Sequence, residues 1–102
     1  MIAHCVFLSF SSSQTEEARR AILCALVALA ETLDGVIAVQ AGPNRDFEAK
    51  SPNHSHGFIL HFRDRGALRA YDEHPRHREL GKELVSMCVG GADGLVVYDI
   101  EY

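Results

Sequence analysis

Residues 2–10 read Ile-Ala-His-Cys-Val-Phe-Leu-Ser-Phe, a segment rich in β-branched and aromatic side chains. Successive side chains of a strand point to opposite faces of its sheet, and both alternating sets of this segment are largely apolar. The segment therefore predicts a strand that is buried on two faces. The two sets are Ile2, His4, Val6, Leu8 and Phe10, and Ala3, Cys5, Phe7 and Ser9.

The rest of the chain predicts the elements that surround this strand. Ser13 and Glu16 have the spacing of a capping box before a helical stripe, and Asp64 can cap a second helix. The order β-α-β-β-α-β, with a helical extension after Pro75, predicts an α+β, ferredoxin-like fold with an antiparallel four-stranded sheet. The predicted elements after the first strand are a helix ending at Asp34 and Gly35, strands at 36–41 and 57–62, helices on either side of Pro75, and a strand at 95–102.

The two helices of such a fold cover only one face of the sheet. Its other face is nevertheless predicted to carry apolar side chains, and a large apolar surface is rarely left in water. We therefore expect a homodimer in which two sheets face each other and form a dimeric α/β barrel. The apolar residues of this second face are Cys5, Phe7, Ile59, Val96 and Tyr98.

Composition predicts one globular domain over residues 1–102, since 47% of the residues are hydrophobic and 24% are charged. The formal charge of −4 argues against nucleic acid or an acidic membrane as a partner. The three cysteines are odd in number and lack CxxC spacing, so we expect small buried hydrophobes in a reducing compartment. With no apolar run long enough to span a bilayer, a soluble cytoplasmic protein is expected.

Residues 70–77, Ala-Tyr-Asp-Glu-His-Pro-Arg-His, carry the strongest chemical signal. Proline has no amide proton and disfavours the helical conformation of the residue before it. One helix should therefore end near His74 and the next should begin at Pro75 or Arg76, so that Tyr71 and His77 converge. A phenol beside an imidazole is a proton donor and acceptor pair that can work near neutral pH.

Strand parity places His4 and His56 on the same face of the sheet, towards the helices. Together with Tyr71 and His77, they put four polar groups into one predicted space between sheet and helices. Unpaired buried polar groups are costly, so these four must form a network or line a wet pocket. We predict that Tyr71 and His77 are catalytic and that the substrate-binding residues are His4, His56, Val6, Leu8, Phe58 and Leu26.

Two other interpretations of the histidines remain open. His77 shares a helical stripe with leucines, which is also typical of a core histidine bonded to a backbone carbonyl. The pairs His74 with His77 and His54 with His56 could each offer two imidazoles to zinc, but neither has a Cys or carboxylate at a recognised ligand spacing. We therefore assign no metal, and acid–base chemistry at this site requires no organic cofactor.

Several motifs together resemble the Dabb family, whose members are also called stress-responsive A/B barrel domains. The resemblance covers essentially the whole chain and implies a ferredoxin-like fold and a dimeric α/β barrel. The residues that carry it are His4, the Leu33 to Val36 junction, Gly42 with Asn44, the Ser55 to Phe58 entry to a strand, and the run from Tyr71 to His77.

The resemblance also implies two kinds of function. Polyketide-cyclising members of the family use a Tyr and a His at the positions of Tyr71 and His77, and their other pocket histidines match His4 and His56. This implies a cyclase, lyase or isomerase that acts on a small apolar carbonyl compound without a cofactor. Other members have similar residues without a defined reaction, so the alternative is a non-catalytic, stress-responsive barrel that binds a small ligand or has a structural role. Some of these members imply weak Mg²⁺ or Ca²⁺ binding.

Overall fold

A computed structural model of the chain describes residues 1–51 and 53–102. Four antiparallel strands form one sheet in the order β2-β3-β1-β4, and the helices pack on one of its faces. This topology confirms the α+β, ferredoxin-like prediction. The elements are β1 (Ile2–Leu8), α1 (Glu16–Glu31), β2 (Val36–Pro43), β3 (His56–Phe62), α2 (Arg65–Glu73), α3 (Pro75–Ser86), a 3₁₀ turn (Gly91–Gly94) and β4 (Leu95–Glu101).

The central strand β1 lies between β3 and β4, and its register decides which side chains share a face. His4 lies opposite Leu60 on one side and Asp99 on the other, while Leu8 lies opposite His56. The even-numbered side chains of β1 therefore face the helices, as the parity of the sequence predicts. Ile2, Val6 and Leu8 join the main core, whereas His4 is half-buried. The largest fully buried side chains of the core are Tyr71, Phe62, Leu8, Leu60 and Leu80.

The start of α1 differs from the prediction. Its N-cap is Thr15, whose Oγ1 accepts a hydrogen bond of 3.0 Å from the backbone N–H of Ala18. Ser13 does not cap the helix, because its hydroxyl forms a 2.9 Å hydrogen bond with the hydroxyl of Ser11. A second expectation is also wrong, since Cys24 is exposed on this helix, whereas Cys5 and Cys88 are buried.

The helix break predicted at Pro75 is confirmed. His74 is extended, with φ −63° and ψ 129°, and it is the C-cap of α2 and the N-cap of α3. Its Nδ1 accepts a 3.1 Å hydrogen bond from the backbone N–H of Arg76. Asp64 caps the start of α2 as predicted, through a 2.9 Å hydrogen bond from Ala67.

The junction between α1 and β2 requires glycine. Gly35 has a φ of +85°, and a Cβ built on it would lie 2.6 Å from the Cβ of Ala67. A side chain at this position would therefore be strained by its backbone and would collide with α2. Gly35 thus lets α2 approach the start of β2 closely.

The sheet face opposite the helices is apolar and partly exposed. Tyr98 and Ile100 are 58% and 56% exposed, and Phe7 packs against Tyr98 with 6.4 Å between ring centroids. This is the face that the sequence predicts a second copy to cover. Between β2 and β3, residues 44–51 and 53–55 form neither helix nor strand, and Pro52 lies outside the described residues.

Candidate functional site

A cavity of about 1110 Å³ lies between the sheet and the helices α2 and α3. Its wall includes side chains from β1, β3 and β4 and from all three helices. Six of the eight residues predicted for the site line it. These are His4, Val6, Leu26, Phe58, Tyr71 and His77.

Tyr71 and His77 face each other across the break between α2 and α3. Their ring centroids are 4.2 Å apart, and their planes are inclined by 48°. The side chain of Tyr71 is almost fully buried, and desolvation, with a smaller contribution from the charge of Asp72, raises the pKa of its phenol. The phenol therefore stays protonated at neutral pH, and Tyr71 can act as a hydrogen-bond donor rather than a base.

The backbone fixes the tautomer of His77. The carbonyl of Asp72 can only accept a hydrogen bond, so the 3.1 Å contact between this oxygen and Nδ1 places the proton of the neutral ring on Nδ1. In a continuous helix this carbonyl would receive the N–H of Arg76, but that N–H is bonded to His74 instead. Nε2 of the neutral ring therefore carries the lone pair, and it has no hydrogen-bond partner among the described residues.

Burial also keeps His77 neutral. Desolvation is the largest influence and lowers its pKa, and it outweighs the hydrogen bond to Asp72, which acts in the opposite direction. A neutral imidazole that lines the cavity and has a free Nε2 can accept a proton from a bound molecule. The arrangement therefore supplies one proton donor, Tyr71, and one proton acceptor, His77.

His4 forms a hydrogen bond with Asp99 that the sequence patterns do not predict. Its Nδ1 lies 2.6 Å from Oδ1 of Asp99, and its ring centroid is 5.9 Å from that of Tyr71. The carboxylate of Asp99 accepts a hydrogen bond from Nδ1–H of His4, and this bond orients the ring beside Tyr71. A signal was present, because the predicted fold places the last strand beside the first and Asp99 shares the inward parity of Val97.

His56 does not join the other three polar groups. It shares their sheet face, but it lies opposite Leu8, four residues along the sheet from His4 and thus about 13 Å away. Its ring packs against Phe10 and its Nδ1 is 3.0 Å from the hydroxyl of Ser55. It lines a second cavity of about 640 Å³ between α1 and β2, and desolvation lowers its pKa. Leu8 is completely buried in the core and lines neither cavity.

Three of the four histidines considered as metal ligands, His56, His74 and His77, have other contacts in the fold. Within residues 1–51 and 53–102, no group of three or more His, Cys, Asp or Glu side chains is placed to hold a metal ion. His74 and His77 are engaged with backbone groups at the helix break. In the same described ranges, none of the helices has the length and apolar character needed to cross a membrane.

Comparison with known proteins gives a consistent picture of the fold. Residues 2–102 match Dabb, the stress responsive A/B barrel domain. A dimeric ferredoxin-like protein of unknown function from Jannaschia sp. CCS1 has 39% identity and a TM-score of 0.92, with coverage of 99% of this chain and 98% of that one. No curated protein matches the sequence.

Two solved structures of enzymes share the fold at low identity. A hydroxynitrile lyase from Passiflora edulis has 16% identity and a TM-score of 0.83, covering 97% of this chain and 90% of that chain. A mutant of a cofactor-independent oxygenase from Streptomyces nogalater has 11% identity and a TM-score of 0.79, covering 99% and 91%. The same architecture therefore carries enzymatic activity in other proteins.

Proposed function

The chain belongs to the Dabb family of stress-responsive A/B barrel domains, and on that basis we propose that it is a cofactor-independent enzyme of the cyclase, lyase or isomerase kind. The substrate class is a small, mostly apolar carbonyl compound. The observation that carries the proposal is the contact between a protonated phenol and a neutral imidazole in one cavity.

The proposed chemistry is a proton transfer at the carbon next to the carbonyl. Nε2 of His77 takes the proton from this carbon, and the electron pair of the C–H bond moves towards the carbonyl oxygen. The O–H of Tyr71 donates a hydrogen bond to the enolate oxygen that forms. The resulting carbanion equivalent can then attack a second carbonyl, lose a leaving group or take the proton back at another position.

The magnitude of such catalysis fits an activated substrate. A positioned acid or base typically contributes about 10²- to 10⁴-fold, and a hydrogen-bond donor to an oxyanion contributes about 10²- to 10³-fold. Val6, Leu26 and Phe58 give the cavity an apolar wall, where such a hydrogen bond is stronger than in water. His4, held by Asp99, would orient the substrate beside Tyr71 rather than transfer the proton itself.

We also propose that the working unit is a homodimer. The exposed apolar side chains of Tyr98 and Ile100 lie on the sheet face that no helix of the described chain covers. The Jannaschia protein, which is 39% identical, is dimeric. Sheet-to-sheet packing would leave the cavity on the helical side of each protomer, and light scattering measures the mass directly.

Deuterium uptake at the α-carbon tests the proton transfer. The probes are 2-heptanone and 2,4-heptanedione in D₂O, followed by proton NMR with the buffer rate subtracted. We expect His77→Gln to lower the rate about 100-fold or more, and Tyr71→Phe to lower it by a similar factor. Glutamine keeps an N–H that can donate to the carbonyl of Asp72 but cannot serve as the base. Arg20→Gln, on the exposed face of α1, is the control and should retain the rate.

Thermal melting of the same variants separates chemistry from folding. Unchanged melting temperatures with lost exchange support the enzyme. If the wild-type protein exchanges both probes no faster than buffer, the proton-transfer proposal is refuted for this substrate class. A non-catalytic barrel that holds a small ligand would then be the better description of the cavity.

A further inference from the structure

Some of the charged side chains that line the cavity have a partner of opposite charge or a hydrogen-bond partner, and others have none. Arg65 forms a two-point pair with Glu101, at 3.1 and 3.0 Å, and Asp99 is held by His4. Three further basic side chains and one further acidic side chain, Asp72, also line the cavity. The three basic residues are Arg69, Arg78 and Lys82.

These three cations have no carboxylate partner in the described structure. No salt bridge within residues 1–51 and 53–102 involves Arg69, Arg78 or Lys82. Arg65, by contrast, is paired at the same wall. The wall formed by α2 and α3 is therefore positively charged, although the whole chain carries a formal charge of −4.

The helical geometry places this charge near the reacting groups. Arg78 and Lys82 are four residues apart, so their side chains lie on one face of α3, one turn from each other. Lys82 is five residues beyond His77, which is about 7.5 Å along the helix axis. Gly81 lies between them and lines the cavity without a side chain, so it leaves the path from His77 to the cations open.

The opposite wall is formed by the sheet and α1, and it is largely apolar apart from Asp99 and Glu101, which are already bonded to His4 and Arg65. Val6, Leu26 and Phe58 lie across the cavity from α3 and offer no charge to compensate the cations. Charges at the edge of a cleft with apolar walls attract counter-ions more strongly than scattered surface charges do. The cavity thus combines an apolar wall, the pair Tyr71 and His77, and a group of cations at its edge. These cations are Arg69, Arg78 and Lys82.

We propose that the substrate carries a carboxylate, which Arg78 and Lys82 bind with the help of Arg69, a few bonds from the α-carbon that faces His77. The substrate class is therefore an amphipathic oxo acid with a short apolar tail. Guanidinium groups bind carboxylates by two parallel hydrogen bonds, and a lysine adds a point charge. This inference rests on the proposed function, because it names the substrate class of the same cavity.

A matched pair of probes tests the charge alone. 3-Oxohexanoate and its methyl ester share the carbonyl and the tail and differ in the carboxylate. Binding to the protein of residues 1–102 is measured by ¹H–¹⁵N NMR titration at about 20 mM and about 300 mM salt. We expect the acid to bind about 5- to 10-fold more tightly than the ester at low salt, and the preference to shrink at high salt.

Two variants identify the residues responsible. The double variant Arg78→Gln, Lys82→Gln should remove most of the preference for the acid while leaving the affinity for the ester unchanged. Arg20→Gln, which removes one cation from α1 outside this cavity, should preserve the preference. Melting curves of all variants show whether the fold is retained.

The outcomes separate this inference from the proposed function. Equal binding of acid and ester, or a preference that survives the double variant, would overturn the carboxylate site even if α-proton exchange is observed. A preference that depends on Arg78 and Lys82 supports the site even if no exchange occurs, and in that case only the catalytic proposal fails.

Discussion

Gly81 affects both the stability of α3 and the space beside His77, and two substitutions can separate these effects. It lies in the middle of α3, its φ is not in the left-handed region, and a Cβ added to it would meet no atom within 4 Å. Glycine inside a helix is less stable than alanine by about 0.5–1 kcal/mol. Gly81→Ala should therefore raise the free energy of unfolding by that amount, which corresponds to about 2–8 °C in Tm for a domain of this size.

A larger side chain at the same position should oppose the reaction. Helical side chains point back towards the N-terminus, so a leucine introduced at position 81 leans towards His77, one turn earlier. Gly81→Leu keeps the gain in helix propensity but fills the space beside Nε2. We expect a Tm at or above that of the wild-type protein, and α-proton exchange reduced about 10- to 100-fold.

Calorimetry and the deuterium-uptake assay, at one fixed protein concentration, measure both effects. The fixed concentration matters because dimerisation makes Tm depend on it. A lower Tm for Gly81→Ala would show that the helix requires glycine here. Full exchange activity in Gly81→Leu would refute the placement of the reacting carbon beside His77.

Three further predictions concern pH, the helix cap and the phenol. Burial lowers the pKa of His77 and of His56, so below about pH 6.5 the unfolded chain binds more protons than the folded one. The free energy of unfolding should therefore fall on acidification, and His77→Gln should make Tm depend less on pH. Thr15→Ala should lower the free energy of unfolding by about 1 kcal/mol, whereas Ser13→Ala should change it by less than about 0.5 kcal/mol in urea unfolding. Tyr71→Phe should change stability by less than about 1 kcal/mol, since the Tyr71 hydroxyl has no hydrogen-bond partner among the described residues, and a loss above about 2 kcal/mol would contradict this.

Strand parity was sufficient to predict the sheet, because it requires only an alternation of side chains along each strand. The face shared by His4 and His56 was predicted correctly for this reason. Their separation of about 13 Å was not, since parity carries no information about distance along a face. His56 therefore lines the cavity under α1 instead of the one that contains Tyr71.

The remaining differences come from side-chain contacts that the periodicity of the sequence does not show. Asp99 reaches His4 across 95 positions, and only the pairing of β4 with β1 brings them together. At the start of α1, Ser13 and Thr15 are both plausible caps, and the bond between Ser13 and Ser11 decides between them. The proline break was predictable because it depends on the local chemistry of one residue.

The break at Pro75 also brings two helix ends of opposite polarity to His77. It is the third residue of α3, within the positive end of that helix macrodipole, while the carbonyl of Asp72 belongs to the negative end of α2. The carbonyl of Asp72 accepts a hydrogen bond from Nδ1–H of the neutral ring. The positive N-terminal end of α3 disfavours a second proton on Nε2. A proton that reaches Nε2 is therefore held weakly and is readily returned. In the proposed reaction, the imidazole would therefore return the proton within each cycle.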